Sequence, residues 1–143
     1  MRATGQWFLG IASVLVGLGL AGGVARADTV RVEVAGLRSD RGVVRAAVCA
    51  EDEFTAATCA HAASARADGT AVVVEDVPPG TWAVQVFHDE DGDGELDRRG
   101  FRPSEGMGFS RDARMRFGPP RFRDAAFALD GDATVRLTMR YFQ

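Results

Sequence analysis

The chain is predicted to be an all-β antiparallel sandwich of about seven strands, with a long loop covering one side. Three observations predict it. Apolar and polar residues alternate with a period of two through most of the chain. Turn-forming Pro, Gly and Asp clusters separate the alternating runs at short intervals. A helical period is hardly seen anywhere after the N-terminal apolar run, and many short strands without helices argue for two packed sheets.

The elements follow in order. In residues 29–35, Val30, Val32 and Val34 alternate with Arg31 and Glu33, so one face is buried. Residues 36–42 form a turn and residues 43–50 a second strand. Residues 51–68 carry alanines without an apolar stripe. They read as a loop pinned by a disulfide, with a helical turn or an edge strand near 59–65. Residues 70–75 make a third strand, closed by Val77-Pro78-Pro79-Gly80, a turn that a central strand could not contain. Residues 81–88 follow, with Trp82, Val84 and Val86 on one face. Two last strands are expected at 125–129 and 133–141, joined as a hairpin by Asp130-Gly131-Asp132. Residues 98–123 are long, rich in Arg, Gly and Phe, and weakly periodic. A segment of that length packs as a cover or serves function. Its phenylalanines, Phe101, Phe109, Phe117 and Phe122, are expected mainly to tack it to the core, the other reading being a ligand groove.

The N-terminus has the layout of a cleaved secretory signal over residues 1–27. Arg2 precedes an apolar run at 7–20, and Ala25-Arg26-Ala27 offers small residues at a cleavage point. The alternative is an uncleaved anchor, but no charged stop-transfer flank follows. Residues 28–143 then form one domain, large enough for its own core, in the periplasm or secreted, with no membrane span after processing. Their 15 Arg face 20 Asp and Glu, and Lys is absent, so the domain is mildly acidic. It has no electrostatic case for binding nucleic acid. Cys49 and Cys59, the only cysteines, are expected to pair in such a compartment. Closing so short a loop contributes about 2–3 kcal/mol.

The residues richest in chemistry are Asp89-Glu90-Asp91-Gly92-Asp93-Gly94-Glu95-Leu96-Asp97. Calcium takes six to eight oxygens, and acids at alternate positions of a tight loop can aim several carboxylates at one point. Asp89, Asp91 and Asp93 match positions 1, 3 and 5 of an EF-hand loop. Gly94 matches the sharp turn at 6, Glu95 the backbone carbonyl at 7, and Asp97 position 9. Position 12 is Gly100 where a bidentate Glu belongs, and a strand rather than a helix precedes the loop. A further ligand must come from elsewhere, Glu105 or water. An acidic turn would account for some of these residues, but three spaced Asp exceed what turn geometry requires. His88, beside Asp89, is either a ligand or relay residue or a histidine bonded to the loop. Phe109 joins His88 and Glu105 in a possible ligand site. No Gly-x-Ser-x-Gly element surrounds Ser104 or Ser110, and His61 has no evident partner.

Several segments together resemble a bacterial family known as domain of unknown function 2141. They are Val77-Pro78-Pro79-Gly80-Thr81-Trp82-Ala83-Val84, Phe87-His88-Asp89 with the acidic loop, residues 103–110 (PSEGMGFS), Phe117-Gly118-Pro119-Pro120 and residues 122–127 (FRDAAF). The resemblance spans nearly all of residues 28–143. It implies an exported domain and a prealbumin-like or immunoglobulin-like sandwich. It implies no activity.

The expected function is a non-catalytic exported module, binding or structural, stabilised by one calcium and one disulfide. Its partner would be a protein or a small-molecule ligand. The alternatives are a hydrolase-type enzyme using His88, Asp89 and Glu105 under the 98–123 loop, and a carrier gripping a sugar or similar ligand.

Overall fold

The first three-stranded sheet is built around β1 (Asp28–Ala35), whose Val30, Val32 and Val34 point inward. The structure is a computed structural model that describes residues 25–56, 58–69 and 71–142. The expected signal therefore lies outside the described residues up to position 24. In this sheet β1 lies between β4 (Ala71–Val77) and β10 (Ala133–Thr138). A β-bulge breaks the β1–β4 register between Asp28 and Val30, and Asp76 adopts a positive φ of 59° there. The extra residue restores the phase of the strand. Val72, Val74 and Val77 all face the core, where unbroken alternation would have turned Val77 outward.

The second sheet has the order β3-β2-β5-β8, formed by β3 (His61–Arg66), β2 (Val43–Cys49), β5 (Gly80–Asp89) and β8 (Gly106–Phe109). β9 (Phe127–Leu129) also pairs with β5, at its start. β3 is the edge strand that the sequence left between two readings. The ten residues of β5 pair with β2 on one side, and on the other with β9 first and β8 later. Between those two partners, Ser110 Oγ accepts the Val84 N–H at 2.9 Å and donates to the Ala125 carbonyl at 2.6 Å. A serine thus completes the ladder where neither strand reaches.

Valines from both sheets, with Leu129, Leu137 and Met139, form the main core. Burial of each such side chain contributes about 1.5–3 kcal/mol. All the strand pairings are antiparallel except β1–β10, which is parallel.

That pairing corrects the expected hairpin at 130–132. β9 and β10 belong to different sheets, so Asp130-Gly131-Asp132 is a corner that crosses between them. Asp-Gly chemistry specifies a tight reversal, but partners are set by which faces must be buried. The corner is fastened to the start of β1. Asp28 accepts the Gly131 N–H at 2.9 Å, Asp132 accepts the Thr29 N–H at 2.8 Å, and Arg26 bridges Asp28 and Asp130.

The 98–123 segment is less irregular than its sequence suggests. It contains the hairpin β6 (Arg98–Arg99) and β7 (Arg102–Pro103), then β8, a 3-10 turn at Ser110–Asp112, and the start of α1 (Phe122–Ala125). Beyond β8 it covers the outer face of the second sheet with a small second core. There Cys49, Phe54, Ala83, Phe109 and Ala125 are buried together. Phe54 meets the Phe109 and Phe122 rings edge-on at 5.9 and 5.7 Å. The Cys49–Cys59 disulfide is formed, with Cα atoms 5.2 Å apart, and Cys59 packs against this core. Two of the four phenylalanines thus anchor the cover, while Phe101 and Phe117 stand fully in solvent.

Candidate metal centre

The acidic loop leaves β5 at its last residue. Asp89 is fully buried, which a carboxylate tolerates only when its oxygens are satisfied. Oδ1 accepts the Gly92 N–H at 2.8 Å, and Oδ2 accepts the Gly94 N–H at 3.0 Å and Arg45 Nε at 2.7 Å. Burial pushes the Asp89 carboxyl up, but the Arg45 guanidinium and the two glycine amides outweigh it, and its pKa lies below the ordinary value. Position 1 of the loop therefore organises the turn from inside. Gly92 and Gly94 adopt φ of +78° and +88°, which tighten the loop enough for both amides to reach Asp89.

The next acids repeat the pattern further out. Asp91 accepts the Asp93 N–H at 3.2 Å, and Asp93 accepts the Glu95 N–H at 2.8 Å. One carboxylate oxygen each from Asp89, Asp91 and Asp93 falls within a mutual 4.8 Å. A second group joins Asp91 and Asp97 to Glu105 within the same limit. Glu105, an acid from the next stretch of chain, is buried, and its two oxygens accept the N–H groups of Glu90 (2.9 Å) and Asp97 (3.2 Å). It therefore clamps the two ends of the loop together. The pKa of Glu105 is raised by burial, partly offset by those two amides, and further by the charges of Asp89 and Asp97. Loss of hydration and then repulsion from Asp91, Asp93 and Asp89 raise the Asp97 carboxyl as well. Hard oxygens converging at this density could hold a metal ion. The side chain of Glu95 is exposed and belongs to neither group.

The frame around the loop comes from residues that the sequence did not single out. Arg38 grips Glu90 with two bonds of 2.9 and 2.7 Å, and Ser39 donates to the same carboxylate at 3.0 Å. Arg38, then Ser39, hold the Glu90 carboxyl down to about 2 against desolvation. Gly42, at φ +72°, lies directly on the Asp89 carbonyl, where a side chain could not be accommodated. Arg45 carried a faint signal, as a charge in an alternating strand whose alternate residues are apolar. Arg38 and Ser39 carried none, being ordinary turn residues.

His88 is fully buried on the opposite side of β5 from Asp89. Its Nε2 lies 2.7 Å from the Arg41 carbonyl, which can only accept, so that nitrogen carries a hydrogen. Its Nδ1 pairs with the Tyr141 hydroxyl at 2.8 Å. Both nitrogens are thus engaged inside the fold. Phe109 is buried in the second core, apart from the acid groups. Of the proposed ligand site of His88, Glu105 and Phe109, Glu105 belongs to an acid group, His88 Nδ1 lies 3.6 Å from Glu90 Oε1 of the loop, and Phe109 stands apart. Ser110 is buried and committed to backbone groups, and His61 packs edge-on against Trp82 at 5.2 Å.

Neither the curated proteins nor the solved structures contain a match to this sequence. A family's sequence model does match, over residues 32–136, which takes in both sheets, the acidic loop and Glu105. The chain belongs to the bacterial family described as uncharacterized protein conserved in bacteria (DUF2141).

Proposed function

We propose that this protein is an exported, non-catalytic β-sandwich module, periplasmic or secreted, that binds one calcium ion in the loop from Asp89 to Asp97. The observation that carries the reading is the convergence of Asp89, Asp91 and Asp93, with Glu105 drawn toward Asp91 and Asp97. Calcium suits it better than magnesium. A flexible, carboxylate-rich set serves a large cation with many ligands, whereas magnesium keeps much of its water. Glu105 takes the part of the acid missing at position 12, supplied from after the loop. It is already held by two amides, so the site is modest, in the 10⁻⁴–10⁻³ M range of roughly extracellular modules. Calcium at such levels is found outside the cytoplasm, in keeping with the disulfide. Among the described residues, no helix is long and apolar enough to cross a membrane. The engaged His88 imidazole and Ser110 hydroxyl favour a binding or structural role over hydrolysis.

Thermal unfolding tests the reading. A ligand that binds only the folded state raises the midpoint, by about 1.4 kcal/mol in stability at ten times its Kd. Calcium should raise the midpoint of the protein, EDTA should reverse the rise, and Asp91→Ala with Asp93→Ala should abolish it. An unchanged midpoint in millimolar calcium contradicts the proposal.

A further inference from the structure

The β6–β7 hairpin projects directly from the acidic loop. It begins one residue after Asp97, and its far end is fastened where the Ser104 N–H donates to the Asp97 carbonyl at 2.9 Å. Glu105, the clamp of the loop, follows immediately. At the tip stands Phe101, 99% exposed, beside Gly100 at φ +65°. Arg98 and Arg99, both exposed, precede it in the hairpin, and Arg102 follows it. A fully solvated phenylalanine at the end of a two-stranded finger contributes nothing to the core. A solvated ring next to exposed arginines in one short hairpin is the composition of an interfacial anchor: the ring enters the acyl boundary while the cations meet phosphates.

We propose that this hairpin docks the protein on an anionic lipid surface when the acidic loop holds its cation. The coupling rests on the calcium reading of the loop, and it follows from charge. The loop and Glu105 carry seven carboxylates, at residues 89, 90, 91, 93, 95, 97 and 105, while its frame and the hairpin carry five arginines, Arg38, Arg45, Arg98, Arg99 and Arg102. The excess of two negative charges repels an anionic surface, and one divalent cation cancels it. With the repulsion gone, each arginine near the surface strengthens binding about fivefold. Burial of the Phe101 ring adds about tenfold to a hundredfold. The contact is short-ranged, because exposed charges are screened beyond about 8–10 Å at physiological salt.

The test is co-sedimentation of the purified protein with vesicles of phosphatidylcholine mixed with phosphatidylglycerol, in calcium and in EDTA. Phosphatidylcholine vesicles and heparin serve as comparisons. Calcium-dependent binding to the mixed vesicles is expected. Phe101→Ser should weaken it at least tenfold, and Arg98→Gln with Arg99→Gln about 25-fold. Phe101→Ser should leave the thermal midpoint and its calcium shift unchanged, since the ring touches no core. No binding in calcium, equal binding to phosphatidylcholine alone, or undiminished binding by Phe101→Ser overturns the proposal. Heparin binding indifferent to Phe101, with no vesicle binding, assigns the arginines to a soluble polyanion and overturns it too. The two readings fail separately. A calcium-raised midpoint without vesicle binding removes the docking role alone. Phe101-dependent binding equal in calcium and EDTA, with an unmoved midpoint, removes the cation.

Discussion

The 130–132 corner and the loop after β5 are both Asp-Gly turns, and they use their acids differently. At the corner, Arg26 bridges Asp28 and Asp130, Asp28 also takes the Gly131 N–H, and Asp132 takes the Thr29 N–H. In the loop after β5, Asp89, Asp91 and Asp93 likewise accept backbone amides, yet they also converge, and Asp97 and Glu105 extend the cluster. Among the described residues, no such group forms at the corner. A tight turn needs acceptors for its amides. It does not need five carboxylates crowded together against their own repulsion. The crowding is the part that turn geometry leaves unexplained and that a cation would explain.

The largest expected effect comes from the buried end of the loop. Asp89→Ala strands Arg45 and the Gly92 and Gly94 amides, and should destabilise the fold by about 3 kcal/mol in urea unfolding. Acid acts next, on the Arg38–Glu90 clamp. The Glu90 carboxyl is held at about 2 against an ordinary 4.5. Its stabilisation is complete above pH 4.5 and is lost as the pH falls toward 2, on the order of 2 kcal/mol. Arg38→Ala should flatten that part of the pH profile while lowering stability at neutral pH. At the corner, Asp28→Ala removes a buried acceptor of one amide and should cost about 1–2 kcal/mol. Asp130, 84% exposed, should be replaceable by Ala within about 0.5 kcal/mol. If Asp130 proved as costly as Asp89, the distinction between the two turns would collapse.

What the sequence discloses about these regions follows from range. The 1-3-5-6 pattern of the loop is local, so Asp89, Asp91, Asp93 and Gly94 could be read directly, and the strands were legible wherever Val alternates against a polar face. Glu105 was visible only as one of two acids among the eight arginines of residues 98–123. Its clamp on Glu90 and Asp97 depends on the β6–β7 hairpin folding back. Arg45 and Tyr141 reach their partners across strands, where no spacing rule operates. The edge strand β3, His61–Arg66, has small residues on both faces, so its alternation gave little contrast. The corner was misread for the same reason: Asp-Gly announces a reversal, while the parallel pairing of β10 with β1 lies a hundred residues away.

The difference between the two turns can be measured in one experiment, a calcium titration followed by the amide signals of the protein in nuclear magnetic resonance. Calcium should move the amides of Gly92, Gly94 and Glu95 along one saturating curve and leave Gly131 and Thr29 in place. Amides unmoved at both turns, or moved equally at both, would contradict the account.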